Sequence, residues 1–156
     1  DVFGDALGIA QADEISGRLT ISLDIFELTP SGCKGVFDTR TPLCASRENC
    51  ENNLREKFSA QGFHLDGRLT PGHHTPCDSD FVKTLLSIFE QYTGIKGSCS
   101  ATGGGTYVHD IEGGVSFGAI MPGFETFMHG ANERVSVQNL ILAAKIYAQT
   151  IIDLCR

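Results

Sequence analysis

The stretch "RLTISLDIFELTPSGCKGVFDTRT", residues 18–41, holds two strand-like segments on either side of a short turn. In residues 18–28, apolar side chains alternate with polar ones, as expected of a strand that buries one face. The apolar positions are Leu19, Ile21, Leu23 and Ile25. The turn "TPSG" (29–32) leads into a second strand, "CKGVFDTRT" (33–41). The pattern therefore predicts an antiparallel hairpin, which Pro42 ends.

A helix is predicted immediately after the hairpin, over residues 46–61. Ser46 can cap it, and Gly62 ends it. Its apolar positions are Cys50, Leu54 and Phe58. The next segment, "FHLDGRL" (63–69), predicts a third strand. Strand–strand–helix–strand is most of a ferredoxin-like split β-α-β unit, so residues 1–72 are expected to be part of such a domain.

The second half of the chain alternates helical and strand-like patterns. The turn-rich loop "TPGHHTPCD" (70–78) is the predicted domain boundary, with residues 73–156 beyond it. The predicted elements are a helix over 79–93, strands near 98–102 and over 114–120, and a helix that starts after Ser136. The last helix has a broad apolar face and is expected to pack on a sheet. The fold class expected for the whole chain is α/β (α+β).

The composition is that of an ordinary soluble globular protein, with 41% hydrophobic and 20% charged residues. The net charge is −7 and no basic cluster is present, so neither nucleic acid nor an anionic membrane is an expected partner. No apolar run is long enough to span a bilayer. The scattered cysteines favour free thiols and a cytoplasmic location. They are Cys33, Cys44, Cys50, Cys77, Cys99 and Cys155.

Three features could carry chemistry. The glycines of "SATGGGTYVHD" (100–110) let the backbone approach a ligand and present N–H groups to an anion. Arg40 ends a strand, and its guanidinium fork suits a carboxylate. His129 stands alone in the loop before the last helix. By spacing alone, the commoner interpretations are a flexible loop, a solvated arginine and a surface histidine, and one histidine cannot hold a catalytic metal.

Five segments, taken in order, resemble a known family. They are "LTISLDIFELTPSGCKGVFDTRTP" (19–42), "DSDFVKTLLSIFEQYTG" (78–94), "GGGTY" (103–107), "GVSFGAIMPG" (114–123) and "HGANERVSVQNLILAAKIYAQTIIDL" (129–154). The first resembles the hairpin of the lid domain of the di-zinc dipeptidases. The others resemble the C-terminal part of that group, the bacterial Xaa-His, carnosinase-like branch of the aminoacylase/glutamate carboxypeptidase metallopeptidases. The resemblance implies the C-terminal part of a ferredoxin-like lid in residues 1–72, and the C-terminal α/β piece of a zinc-peptidase catalytic domain in 73–156.

The resemblance also implies roles for individual residues. His129 would be the last ligand of a two-zinc site, and Asn132 and Glu133 would orient its loop and imidazole. Arg40 would bind the C-terminal carboxylate of a dipeptide substrate. The residues of "GGGT" would help it, the glycines through backbone N–H groups; they are Gly103, Gly104, Gly105 and Thr106. The family usually has an arginine shortly after this motif, whereas this chain has Val108 and His109.

The remaining metal ligands of the family, its glutamate general base and its lid histidine match nothing in this chain. We therefore expect no catalytic residue within it. The resemblance implies that the chain is a C-terminal fragment that needs the upstream half of the same protein and is inactive alone. The intact protein is expected to hydrolyse dipeptides with two zinc ions. Because the lid of this family often forms dimers, a homodimer is a further expectation.

A non-enzymatic interpretation remains open at this point. The strand–strand–helix–strand segment could be a ferredoxin-like module that binds a small ligand or forms a dimer, with residues 79–156 as its packing partner. A gene that starts near residue 1 would favour this module. A coding region that continues upstream with His-x-Asp and Glu-Glu motifs would favour the peptidase.

Overall fold

The computed structural model describes residues 1–118 and 120–155. These residues form a mixed α/β structure with two small antiparallel sheets and three α-helices. The chain divides into two units. The first contains Asp1–His74 and Ala101–His109, and the second contains Thr75–Ser100 and Asp110–Arg156.

The predicted hairpin is confirmed and is the main sheet of the first unit. A short pair, β1 (Ala12–Asp13) and β2 (Gly17–Arg18), precedes it. The long strands are β3 (Thr20–Thr29) and β4 (Gly32–Arg40), which pair antiparallel. Only the start of β3 is buried. Because the sheet has just two strands, the apolar side chains farther along β3 stay about half exposed or more. These are Leu23, Ile25, Phe26 and Leu28.

The predicted helix is confirmed, although it opens with a wider turn. A π-helical turn over Arg47–Glu51 continues into α1 (Asn52–Ala60). The Ser46 hydroxyl accepts the backbone N–H of Asn49 at 3.2 Å, and the Asn49 side chain accepts the N–H of Ser46 at 2.7 Å. This reciprocal capping satisfies two donors that a helix start leaves unpaired. The core beside the helix start consists of Ile9, Leu19, Ile21 and Cys50.

The predicted third strand over 63–69 is wrong: these residues are irregular. Side chains from the helix satisfy their backbone in place of a neighbouring strand. Arg55 donates to the carbonyls of Leu65, at 2.7 Å, and Gly67. Buried Glu51 accepts the N–H of Leu69 at 3.1 Å and the Arg55 Nε–H at 3.0 Å. The described residues thus supply the hairpin and helix of the predicted ferredoxin-like arrangement, but not its third strand.

The second unit is built on two helices that pack together. α2 (Asp80–Thr93) is capped by Ser79 and ends at Gly94, which has a φ of 68°. α3 (Val137–Leu154) is capped by Ser136. Both helices are confirmed. Their shared apolar core consists of Ile88, Met121, Ala143 and Ile146. No described helix has both the length and the apolar character needed to cross a membrane.

The strands predicted in this half are wrong. Residues 98–102 are irregular, and so are 114–118 and 120, while Ala119 lies outside the described residues. The expectation that the last helix packs on a sheet is also wrong, because α3 packs against α2. Apolar, β-branched sequence indicates burial as well as strand, and these segments contribute Phe117 to the helical core instead. The proposed boundary at 72/73 stays a prediction.

Asp13 ties the β1–β2 hairpin to the segment after β4. Its Oδ1 accepts the N–H groups of Ile15, at 2.9 Å, and Ser16, at 2.7 Å. Its Oδ2 accepts the Ser16 hydroxyl at 2.7 Å and the Cys44 N–H at 3.1 Å. The Ser16 hydroxyl in turn accepts the N–H of Leu43 at 2.8 Å. These donors, the Ser16 backbone N–H first, hold the pKa of Asp13 well below its usual range.

Because the folded state lowers this pKa, the charged Asp13 stabilises the fold above the unfolded-state pKa of about 3.9, and that contribution is lost as pH falls further. We expect Asp13→Asn to unfold more easily than wild type at pH 7, with a smaller difference at pH 3. Urea unfolding at both values measures this. Asp24→Asn is the control, since it changes net charge equally, while the Asp24 carboxylate accepts the exposed Ser22 hydroxyl, for which an asparagine there keeps an oxygen. An Asp13→Asn deficit that is equal at both pH values would contradict the argument.

Candidate functional site

Arg40 is the central residue of the predicted site in the first unit. It ends β4, so its position is fixed by the strand pairing Thr20↔Arg40. Its Nη1–H donates to the carbonyl of Gly103 at 2.9 Å, and its Nη2 pairs with the carboxylate of Asp38 at 2.6 Å. Arg40 and Gly103 are 63 residues apart in sequence. The structure therefore brings together two of the residues that the sequence singled out.

The glycines of the loop differ in how closely they approach Arg40. A Cβ at Gly103 would lie 3.3 Å from Cβ of Arg40, so a side chain there would press on the arginine stem. A Cβ at Gly105 would have nothing within 4 Å. The N–H of Gly104 donates to the Thr102 hydroxyl at 3.2 Å. The close approach thus favours a glycine at 103, whereas at 105 the structure leaves room for a larger residue.

Thr106 shapes the turn that follows the glycines. Its hydroxyl accepts the N–H of Val108 at 3.2 Å, and its carbonyl accepts the N–H of His109 at 3.2 Å, which begins a 3₁₀ turn over Tyr107–Asp110. The imidazole of His109 lies with its ring centroid 6.0 Å from that of His73. Sequence spacing does not predict this pair, because 36 positions separate the two histidines.

The electrostatics at Arg40 suit an anion that can compete with Asp38. The side chains of Arg40 and Asp38 are 46% and 43% exposed, so solvent reaches the ion pair. An exposed pair of this kind is weak, on the order of 0–1 kcal/mol, which a bidentate carboxylate can match. The contact with the Gly103 carbonyl orients the guanidinium without neutralising its charge. The arrangement can therefore bind a carboxylate.

His129 lies in the second unit, in a loop with an unusual backbone. Three residues other than glycine have positive φ: Phe127 at 53°, His129 at 62° and Asn132 at 62°. The N–H of Gly130 closes a tight turn onto the Phe127 carbonyl at 2.8 Å. Each left-handed residue with a Cβ costs about 1–2 kcal/mol, less for asparagine. Such strain is often found at functional loops, so it is consistent with a special role for this segment.

The side chain of Arg134 holds this loop together. Its guanidinium lies 4.7 Å from the centre of the Phe127 ring, and its Nε–H donates to the Glu125 carbonyl at 3.2 Å. Its backbone N–H donates to the carbonyl of Thr126 at 2.9 Å. The sequence reasoning missed this residue, although it directly follows Glu133 in the quoted motif.

A shallow groove of about 160 Å³ runs beside the loop. Its walls include Met121, Phe124, Met128, Glu133 and Arg134. His129 and Asn132 are exposed and do not line it. Over residues 1–118 and 120–155, no three His, Cys, Asp or Glu side chains are placed to hold a metal ion. The described residues therefore contain no assembled group that would hold a zinc ion together with His129.

Comparison with known proteins finds relatives that share the name dipeptidase. The Beta-Ala-Xaa dipeptidase of Lactobacillus delbrueckii subsp. lactis is 32% identical over 100% of this chain. YtjP of Bacillus subtilis, also named a dipeptidase, is 32% identical over 100% of the chain, and a dipeptidase-named protein of Staphylococcus epidermidis is 30% identical over 98%. The chain is similar to dipeptidases. It spans about a third of the length of these curated relatives. No protein-family model matches it.

The backbone at position 129 gives a prediction about stability. Glycine adopts a φ of +62° without the Cβ penalty, so His129→Gly should be more stable than His129→Ala by about 1 kcal/mol. Urea unfolding of the two variants measures the difference. Ala131→Gly is the control, because Ala131 lies in the same loop without a positive φ, and there glycine should lower stability. Equal stability of the two His129 variants would mean that the loop is not held in this conformation.

Proposed function

We propose that this chain is the C-terminal third of a metal-dependent dipeptidase, in which it supplies the carboxylate-binding end of the substrate site and one metal ligand. The observation that carries the proposal is the hydrogen bond from Arg40 to Gly103. The resemblance assigns both residues to the same carboxylate, and they meet across 63 positions of sequence. Similarity to dipeptidases over 98–100% of the chain supports the same activity.

Arg40 would bind the C-terminal carboxylate of the dipeptide. Its fork presents parallel N–H donors, which match the two oxygens of a carboxylate. Gly103 would fix the direction of the fork through its carbonyl, and the following glycines would keep the backbone close to the bound anion. Before substrate binds, Asp38 would pair with Arg40 and neutralise its charge. The substrate carboxylate would then replace Asp38 on the guanidinium. The exchange would cost little because the ion pair is exposed.

His129 would be a ligand of a zinc ion whose other ligands come from polypeptide outside these 156 residues. Zinc would supply Lewis-acid activation of the scissile carbonyl and of water in the intact protein. Asn132 and Glu133 would orient the loop that carries the imidazole. Because the described residues provide no zinc site by themselves, no step of hydrolysis is assigned to this chain. Its proposed partners are a dipeptide and the upstream half of the same protein.

The alternative, a non-enzymatic ferredoxin-like module, has less support. The irregular segment over 63–69 does not separate the two interpretations, because the lid domain that the resemblance implies has the same pattern, but the relatives named above carry the name dipeptidase.

The decisive test compares the chain with and without the coding sequence upstream of residue 1. We expect that sequence to encode His-x-Asp and Glu-Glu motifs. The extended protein should hydrolyse Ala-His and a β-alanyl dipeptide and lose this activity in a chelator, whereas the 156-residue chain should show none. A gene that begins near residue 1 would overturn the proposal. Chelator-sensitive hydrolysis by the 156-residue chain alone would overturn the claim that it depends on upstream polypeptide.

Two neighbouring substitutions should act in opposite directions in the extended protein. Arg40→Ala should lower kcat/KM for dipeptides about 10- to 100-fold, since a charged hydrogen bond contributes about 1.5–3 kcal/mol. Asp38→Asn should lower KM about two- to five-fold, because the competing carboxylate is gone. Steady-state kinetics on one dipeptide measures both.

Arg18→Ala is the matched control for these kinetics. It also removes an exposed arginine paired with an aspartate, at 3.1 Å from Asp5, but it lies outside the proposed site and should leave kcat/KM unchanged. If Arg40→Ala behaves like this control, Arg40 does not contact substrate.

A further inference from the structure

Two histidines from distant parts of the chain have their imidazole rings close together in the first unit. His73 lies in the irregular segment before α2, and His109 lies in the 3₁₀ turn over Tyr107–Asp110. Their ring centroids are 6.0 Å apart, and their planes are inclined by 59°. His109 is exposed and His73 is partly buried. The roles proposed above for the arginine and the glycine loop use neither ring.

The end of β4 and the residues just after it hold both histidine segments in place. Gly103, in the loop that leads to the second histidine, accepts the Arg40 Nη1–H at 2.9 Å. Gly72, which directly precedes the first histidine, packs on Leu43, because a Cβ at Gly72 would lie 2.9 Å from Leu43 Cδ2. Arg40 and Leu43 are three positions apart in sequence. Two separate contacts with one short stretch of chain therefore bring the two rings together.

One nitrogen of His109 is engaged by the backbone of its own turn. Its Nδ1 lies 3.3 Å from the Thr106 carbonyl oxygen, which also accepts the backbone N–H of His109 at 3.2 Å. The backbone nitrogen of Thr106 lies 3.4 Å from the same Nδ1. When Nδ1 carries the proton, it donates to the carbonyl, and Nε2 keeps its lone pair for a ligand. A carbonyl on the other ring nitrogen is the usual arrangement of a metal-binding histidine.

The separation of the two rings fits a shared metal ion. Transition-metal ions such as Zn²⁺ lie about 2.0–2.1 Å from an imidazole nitrogen, and so about 3.2 Å from the ring centroid. Two rings on one ion are then about 4.5 Å apart, centroid to centroid, at coordination positions 90° apart, and about 6.4 Å apart at opposite positions. The observed 6.0 Å lies within this range. Over residues 1–118 and 120–155 no third His, Cys, Asp or Glu side chain joins the pair, so water would complete the coordination.

We propose that His73 and His109 form a binding site for a transition-metal ion, with Cu²⁺ bound most tightly. Neutral imidazole suits copper and nickel, and the affinity of nitrogen ligands for divalent ions generally peaks at Cu²⁺. Ca²⁺ prefers oxygen ligands and should not bind to the pair. The net charge of −7 adds a general attraction for cations. The site is independent of the proposed peptidase activity, because it uses other residues.

Paramagnetic Cu²⁺ tests the site on the wild-type chain. Below one equivalent, Cu²⁺ should broaden the imidazole NMR signals of His73 and His109 before those of His64 and His129. The same concentration of Ca²⁺ should leave the signals of the pair unchanged. Earlier broadening of His64 or His129, no broadening of any histidine, or an equal response to Ca²⁺ would overturn the proposal.

Histidine variants provide a second readout by titration calorimetry. His109→Ala and His73→Ala should each weaken Cu²⁺ binding at least about 10-fold, since losing a ligand costs at least as much as losing a hydrogen-bond partner of one. His64→Ala is the matched control, an exposed histidine of the same irregular segment, and should keep the wild-type affinity. His74→Ala should also keep it, because the ring contact belongs to His73. Full affinity in His109→Ala, or a loss in His74→Ala as large as in His73→Ala, would mean that this pair does not hold the ion.

Discussion

The contact between the Arg40 guanidinium and the Gly103 carbonyl is the constraint on which the candidate site depends. It joins the end of the hairpin to a loop that sequence places far away, and it leaves the charge of the arginine in reach of solvent. The β3–β4 pairing fixes the backbone position of Arg40. The missing Cβ at Gly103 sets how near the loop can come. These conditions together support the proposed carboxylate-binding role, because an arginine fork needs a fixed direction and an open side.

The first unit also shows how side chains can replace a sheet neighbour. Residues 63–69 have the composition of a strand, but Arg55 and Glu51 take up its backbone groups. Glu51 is buried, and its pKa is lowered chiefly by the N–H of Leu69 and then by Arg55. The arginine and the glutamate therefore satisfy each other as well as the chain beside them. This arrangement meets the hydrogen-bonding needs of a partly buried segment without a third strand.

In the second unit, one set of residues forms the core and a different segment carries the proposed chemistry. Its helices form a core from apolar positions spaced for helix packing, while the loop that carries His129 is exposed and conformationally strained. The strain is concentrated at three residues within a short stretch, and Arg134 stabilises it through a ring contact and two hydrogen bonds to carbonyls. A metal ligand on such a loop is positioned by its backbone. The proposed function uses this feature, although the other ligands would come from elsewhere.

Local sequence signals predicted the hairpin and the three described α-helices, because these elements depend on residues close together in the chain. Alternation, the caps at Ser46, Ser79 and Ser136, and the glycine after α2 act within a few residues of each other. The sequence also carried the resemblance that identified Arg40, the glycine loop and His129 as candidates. Whether an apolar segment became a strand depended on long-range packing, since a strand exists only when a neighbour is available to pair with it. The contact of Arg40 with Gly103 also depends on the three-dimensional structure, because contacts between distant residues follow from the path of the chain, which no local pattern records.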